Sequence, residues 1–166
     1  MTGEIICSQE QKFGWFFRWF LIFDSVLFIL IILGLQFLLW RMGRETLPVV
    51  IMAAILIIPM LLLIVFWLAR LQTVICRDGL YVRFFPIHIN FKRFAFEDFS
   101  EYYAREYSPI FEYGGWGIRY SFRNGKAYNI SGNKGLQIVF KNGKKLLVGS
   151  QNPQELVEAI DSIVKK

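Results

Sequence analysis

The chain has 166 residues, of which 55% are hydrophobic, and its mean hydropathy is +0.41. That length allows one ordinary domain, or a smaller one plus something else, and the hydropathy is too high for a typical soluble domain. A formal charge of +6 makes the chain basic, while one histidine and two distant cysteines cannot supply a His/Cys metal cluster.

Residues 1–14 read as a short N-terminal segment. The apolar excess begins after them and is concentrated in two runs. Residues 19–40 read "WFLIFDSVLFILIILGLQFLLW" and residues 48–69 read "PVVIMAAILIIPMLLLIVFWLA". A bilayer core needs about 20 apolar helical residues, so each run is long enough to span it. The first run is too long for a cleaved signal peptide, and no small-residue cleavage site follows it before the second. Trp15, Trp19, Trp40 and Trp67 flank the runs, as amphipathic rings do at a headgroup zone, with Arg18, Arg41 and Arg70 beside them. The connection "RMGRETL" is short, so residues 15–70 should form an antiparallel hairpin with both termini on one side. Lys12, Arg18, Arg70, Arg77 and Arg83 lie on that side against Arg41 and Arg44 in the loop. The positive-inside rule therefore puts both termini in the cytoplasm of a multi-pass protein of the cell membrane. There Cys7 and Cys76 would stay reduced.

Within the hairpin, pairing about Arg44 sets Gly34 level with Ala54, where small residues let helix backbones approach. Pro59 should kink the second helix. Asp24 is the ionisable residue well inside a span, which makes it a functional candidate. It lies about a turn and a half from the cytoplasmic end, and no second intramembrane charge completes a proton or ion relay. A tolerated interfacial carboxylate or a partner contact is the plainer reading.

From residue 71 the pattern changes to short alternating runs. "QTVICR" and "LYVRFFPI" flank Asp78-Gly79, "FKRFAF" and "EYYAREY" follow, "GIRYSF" and "KAYNI" flank Asn124-Gly125, and "LQIVF" and "KLLVG" flank Asn142-Gly143. These are about eight strands with hairpin dipeptides suited to type I′ turns, which need positive φ at both central positions. In "EYGGWGIRYSFRNGKAYNISGNKG", Gly114, Gly115, Gly117, Gly125, Gly132 and Gly135 read as turn residues. The stretch precedes a strand instead of opening a helix, so it is no dinucleotide loop. The end of the chain, "NPQELVEAIDSIVKK", predicts an amphipathic helix over about 153–164. Asn152 is its N-cap, Glu155 completes a capping-box pattern, and Leu156, Ile160 and Ile163 lie on its apolar stripe.

Strands followed by one amphipathic helix, together with "YGGWGIR" (113–119) and "LLVGSQNPQELVEAI" (146–160), resemble uncharacterised bacterial two-span membrane proteins that carry a C-terminal pleckstrin-homology-like (PH-like) domain. The resemblance implies an α+β membrane protein. A two-helix transmembrane hairpin would be followed, over 71–166, by a mainly antiparallel β sandwich or barrel closed by the C-terminal helix.

Residues 71–166 carry 14 basic against nine acidic side chains, and a basic domain at a cytoplasmic leaflet is drawn to anionic lipid. Arg119, Lys126 and Lys134, near Trp116, are the candidate contacts for an anionic ligand. Arg123, Lys141 and Lys144-Lys145 sit at hairpin turns, where charge serves solubility. The first hairpin holds Arg77 and Arg83 around Asp78, which departs from the basic first hairpin of phosphoinositide-binding PH domains. No recognition motif for nucleic acid accompanies the charge. His88 lies in a turn, Ser150 lacks a nucleophile elbow, and Glu97-Asp98 with Glu101 read as an exposed turn beside Lys92 and Arg93. No catalytic, cofactor or metal residue is assigned. The expected role is a non-catalytic binding or scaffolding module facing the cytoplasm, with the lipid bilayer and a protein partner or homo-oligomer as partners. The alternatives are an anionic headgroup sensor and an accessory subunit of a transporter or envelope complex.

Overall fold

A computed structural model describes residues 4–45 and 47–165. The chain divides into two compact units, one holding the helices between Phe13 and Leu68, the other formed by the chain up to Lys12 together with everything from Ala69 onward.

The helical unit consists of α1, Trp15–Arg41, and α2, Val49–Leu68. Both are apolar around their whole circumference, and no residue of α1 is buried. A helix satisfies its own backbone polar groups, so it can present apolar side chains on every side only where the surroundings are apolar too. Each helix is long and apolar enough to cross a membrane, with a mean hydropathy of 2.5 over the most apolar 18 residues of α1 and 3.0 over those of α2. The two run antiparallel, so that the start of α1 meets the end of α2. Phe13 stacks on Phe17 at 4.8 Å, Phe66 meets both rings edge-on, and the Arg18 guanidinium lies 4.9 Å over Trp67. At the far end Gln36 donates to and accepts from the Leu47 backbone, both at 3.2 Å, which ties the connection down. The close backbone approach expected at Gly34 is not there, since a Cβ on that residue would meet nothing within 4 Å.

The second unit contains two open sheets. The first has the order β1-β2-β3-β4, from Ile5–Lys12, Arg70–Cys76, Gly79–Phe85 and Lys92–Phe94. The second has the order β5-β8-β9-β7-β6, from Phe99–Glu106 (β5), Gly117–Ser121 (β6), Gly125–Asn129 (β7), Lys134–Phe140 (β8) and Lys145–Gly149 (β9). Neither sheet closes into the barrel that the sequence allowed, and β7 pairs with β9 in parallel within an otherwise antiparallel layout.

Strand β1 corrects the reading of residues 1–14 as a separate segment. It pairs antiparallel with β2 from Ile5 opposite Cys76 to Lys12 opposite Arg70. The helical unit is therefore inserted between two neighbouring strands of one sheet. The sequence hid this because the inward positions of "IICSQEQK" include Gln9 and Gln11, which breaks the apolar alternation that marks a half-buried strand. The Gln9 amide serves α4, Pro153–Val164. Gln9 donates to Glu155 at 2.8 Å and to the Asn152 carbonyl at 3.0 Å. The expected capping box does not form: Asn152 occupies the N-cap position, but its side chain caps nothing, and Glu155 is taken up by β1. Leu156 and Ile160 of α4 are fully buried, as are Leu71, Ile75, Leu80, Leu136, Ile138 and Leu147 of the strands. Each contributes roughly 1.5–3 kcal/mol by leaving water.

The hairpin turns fall where the Asx-Gly dipeptides predict, with a different geometry. Among the described residues positive φ is confined to glycines, +73° at Gly125 and +77° at Gly143. The preceding Asn124 and Asn142 keep negative φ, so these are not type I′ turns. One glycine per turn takes the left-handed conformation, as in longer hairpin loops with a glycine bulge. Gly135 is no turn residue either: it lies in β8 opposite Gly149.

Candidate functional site

Strands β5 and β8 are antiparallel neighbours, yet the chain between them makes a long excursion through α3, Pro109–Tyr113, and the β6–β7 hairpin. Pro109 suits the first turn of α3, and Gly114, at φ +72°, ends it in the left-handed conformation. A polar hub under α3 fixes this excursion to the sheet. Arg105 of β5 donates to Glu112 at 2.9 Å, to the Tyr113 hydroxyl at 3.2 Å and to Gln137 of β8 at 3.0 Å. Glu112 also accepts from the Ser108 N–H at 2.8 Å and from the Asn124 amide at 3.1 Å, while Tyr113 donates to the Asn124 carbonyl at 3.2 Å. Burial works against ionisation of Glu112, but the Arg105 guanidinium and the Ser108 N–H outweigh it and hold its carboxyl below the usual range. The hub thus grips Asn124 from both sides, and Asn124 belongs to the turn between β6 and β7.

That turn is brought against another. Lys126 of β7 stands opposite Leu146 of β9, and a Cβ on Gly125 would collide with the Lys145 carbonyl. Only glycine fits there, and the contact sets the turn at Phe122–Asn124 beside the turn at Lys141–Gly143. Between them lies a groove of about 530 Å³ lined by Tyr120, Phe122, Arg123, Gly125, Lys126, Asn142, Gly143, Lys144 and Lys145. Four of these residues are cationic and none is acidic. Among the described residues none of the four takes part in an ion pair. Phe122 is fully exposed and Tyr120 is 69% exposed, their rings edge to face at 5.8 Å. The Lys126 ammonium lies 5.0 Å over the Tyr128 ring, and His88 packs edge-on against the same ring at 5.6 Å. Burial pushes the His88 pKa down, and the charges of Lys92 and Lys126 push it further. His88 is thus held neutral beside cations.

The four anion contacts expected from the sequence do not line one groove together. Of Arg119, Lys126, Lys134 and Trp116, the groove includes Lys126 alone. Trp116 donates from its indole to the Gly132 carbonyl at 3.0 Å, and Arg119 donates to the Trp116 carbonyl at 3.0 Å, so both fasten the glycine-rich loop. Lys134 faces Glu106 at 3.7 Å. Sequence reasoning counted Arg123, Lys144 and Lys145 among the positive residues but did not select them as ligand contacts. A signal was present, because "FRNGK" (122–126) and "FKNGKK" (140–145) repeat one pattern of aromatic, cation and Asn-Gly turn. Nothing local announces that the two copies become neighbours.

The remaining candidates are accounted for singly. Ser150 exchanges hydrogen bonds with Gln9 and the Asn152 N–H at the start of α4. Glu97 and Asp98 lie in a short 3₁₀ turn, Phe96–Asp98, and Glu101 in β5. Asp24 borders a groove of about 250 Å³ between the two helices, with Ser25 and Phe28 of α1 and Pro59, Leu63 and Phe66 of α2. No known protein family, curated protein or solved structure matches the chain.

Proposed function

We propose that this chain is a membrane-anchored, non-catalytic binding module: the two apolar helices cross the cell membrane as a hairpin, and a PH-like domain is presented on the cytoplasmic side. One observation carries this reading. Strands β1 and β2 pair along their length, with Lys12 opposite Arg70, so the chain must enter and leave the helices on the same side. Two spanning helices meet that requirement. The basic residues near this junction, Lys12, Arg18, Arg70 and Arg83, outnumber Arg41 and Arg44 at the far end, which supports a cytoplasmic domain. Two open sheets followed by an amphipathic helix support the PH-like description. A tether at two adjacent strands holds such a domain at the bilayer more firmly than a single linker would.

Reporter fusions test the topology. A fluorescent protein fused after Lys166 should fold and emit, and a phosphatase inserted after Gly43 should be active. The opposite pattern would overturn the cytoplasmic assignment. A second reading, binding of a protein partner or of another copy, is favoured by Ile110 and Phe111 on α3, which are 60% and 93% exposed. Site-specific photocrosslinking from Phe111 in intact membranes would yield a discrete adduct under that reading, and only monomer without it.

A further inference from the structure

We infer that the groove between the turns at Phe122–Asn124 and Lys141–Gly143 binds the phosphate-bearing headgroup of an anionic membrane lipid. The inference rests on the membrane reading above and names the ligand of the groove.

Three observations converge on it. The first is charge: Arg123, Lys126, Lys144 and Lys145 enclose one space with no carboxylate in its lining and, among the described residues, no ion-pair partner. Like charges held together raise each other's energy, and an anion placed among them relieves all four at once. Their positions are imposed by backbone, through the β7–β9 pairing and the contact of Gly125 with Lys145, and not by flexible side chains finding each other. The second is concavity. About 530 Å³ falls within the range of roughly 300–1,000 Å³ common for small-ligand sites, and Arg123 brings the planar fork that suits phosphate oxygens.

The third observation decides between a soluble anion and a lipid. Phe122 and Tyr120 stand exposed on the groove wall, beside the cations. An exposed phenylalanine at a site for a soluble phosphate gains nothing, whereas aromatic rings beside cations suit the boundary between headgroups and acyl chains.

The test uses the full chain in lipid nanodiscs, followed by hydrogen exchange. Discs of phosphatidylcholine alone are compared with discs containing about 30 mol% phosphatidylglycerol. Exchange at 121–126 and 140–145 should slow several-fold in the anionic discs. Lys144→Glu with Lys145→Glu should abolish that protection, and so should Arg123→Glu with Lys126→Glu. Arg77→Glu with Lys165→Glu, the same charge change on exposed side chains outside the groove, should leave it intact. Unchanged exchange of β2 and β8 certifies that each variant is folded. Equal exchange in the two kinds of disc overturns the inference, as does protection that survives both groove variants. Equal protection in neutral discs on adding millimolar inorganic phosphate also overturns it, by assigning the groove to a soluble anion. Fast exchange along α1 and α2 would sink the membrane reading itself; slow exchange there with indifferent turns sinks the inference alone.

Discussion

Two excursions interrupt this fold, and both leave their flanking strands paired. Between β1 and β2 the chain runs through two apolar helices and returns with Lys12 opposite Arg70. Between β5 and β8 it runs through α3 and the β6–β7 hairpin and returns with Glu106 opposite Lys134. The helical excursion makes a compact unit of its own, joined by rings and aliphatic side chains. The second excursion adds two strands to an existing sheet and is fixed by the Arg105–Glu112 hub. The lesson is that an antiparallel pair tolerates a long insertion, because loop closure costs grow only slowly with length. What the insertion can do then depends on how it is held. Apolar helices can anchor; a strand pair clamped by directional hydrogen bonds can place charged turns within reach of one ligand.

The largest expected effect comes from cutting the clamp. Arg105→Ala strands a carboxylate that is only a quarter exposed, and the domain should lose about 2–3 kcal/mol. Denaturant unfolding of the micelle-solubilised chain would measure it. Replacing both partners, by Arg105→Met with Glu112→Leu, should cost less than the single change; an equal or greater loss would mean that the excursion is held by something other than this pair. Next comes Gly125→Val, which needs positive φ and the space of the Lys145 carbonyl. It should cost about 2 kcal/mol and separate the two turns, so exchange at 140–145 should rise even with the hub intact.

Acid provides a subtler probe of the same contrast. The Glu112 carboxyl is held below its usual range in the folded chain. Its contribution is therefore complete above the pKa of the unfolded chain, about 4.3, and is lost as pH falls through the lower folded value. Glu112→Gln should flatten the acid limb of the stability profile, measured by unfolding at a series of pH values. A limb as steep as in the wild type would remove Glu112 as its source. The smallest effect belongs to Lys134→Ala. Its partner and its own side chain are more than half exposed, so stability should move by no more than about 0.5 kcal/mol, and groove protection should not change. A loss of lipid-dependent protection in that variant would make Lys134 a lipid contact.

Several features were legible because they are local. The apolar runs show in composition over twenty residues, the Asx-Gly dipeptides mark the turns of the β2–β3, β6–β7 and β8–β9 hairpins, and the spacing of Leu156 and Ile160 shows the buried face of α4. The glycine-rich stretch was correctly legible as architecture: Gly114, Gly115 and Gly117 all carry positive φ. Strand β1 was illegible because its half-buried Gln9 answers to α4, which begins 141 residues after Lys12 in the sequence. The grouping of cations around the groove was illegible for a related reason. Arg119 and Lys126 are seven residues apart, and proximity along the chain suggested one site. The backbone instead folds Arg119 onto the Trp116 carbonyl and brings Lys144 and Lys145 to Lys126 through a parallel strand pair.

The sequence by itself determined the two apolar helices, the strands after residue 70, the positions of their Asx-Gly turns and the closing helix, since each follows from side-chain periodicity and backbone preference within a short window. The tertiary structure alone decided that the N-terminal strand completes the first sheet around the helical insertion, and that two Asn-Gly turns from different hairpins form one basic groove. Both depend on hydrogen bonding between strands far apart in the chain, and that pairing is chosen by the burial of whole sheets instead of by any residue's neighbours in sequence.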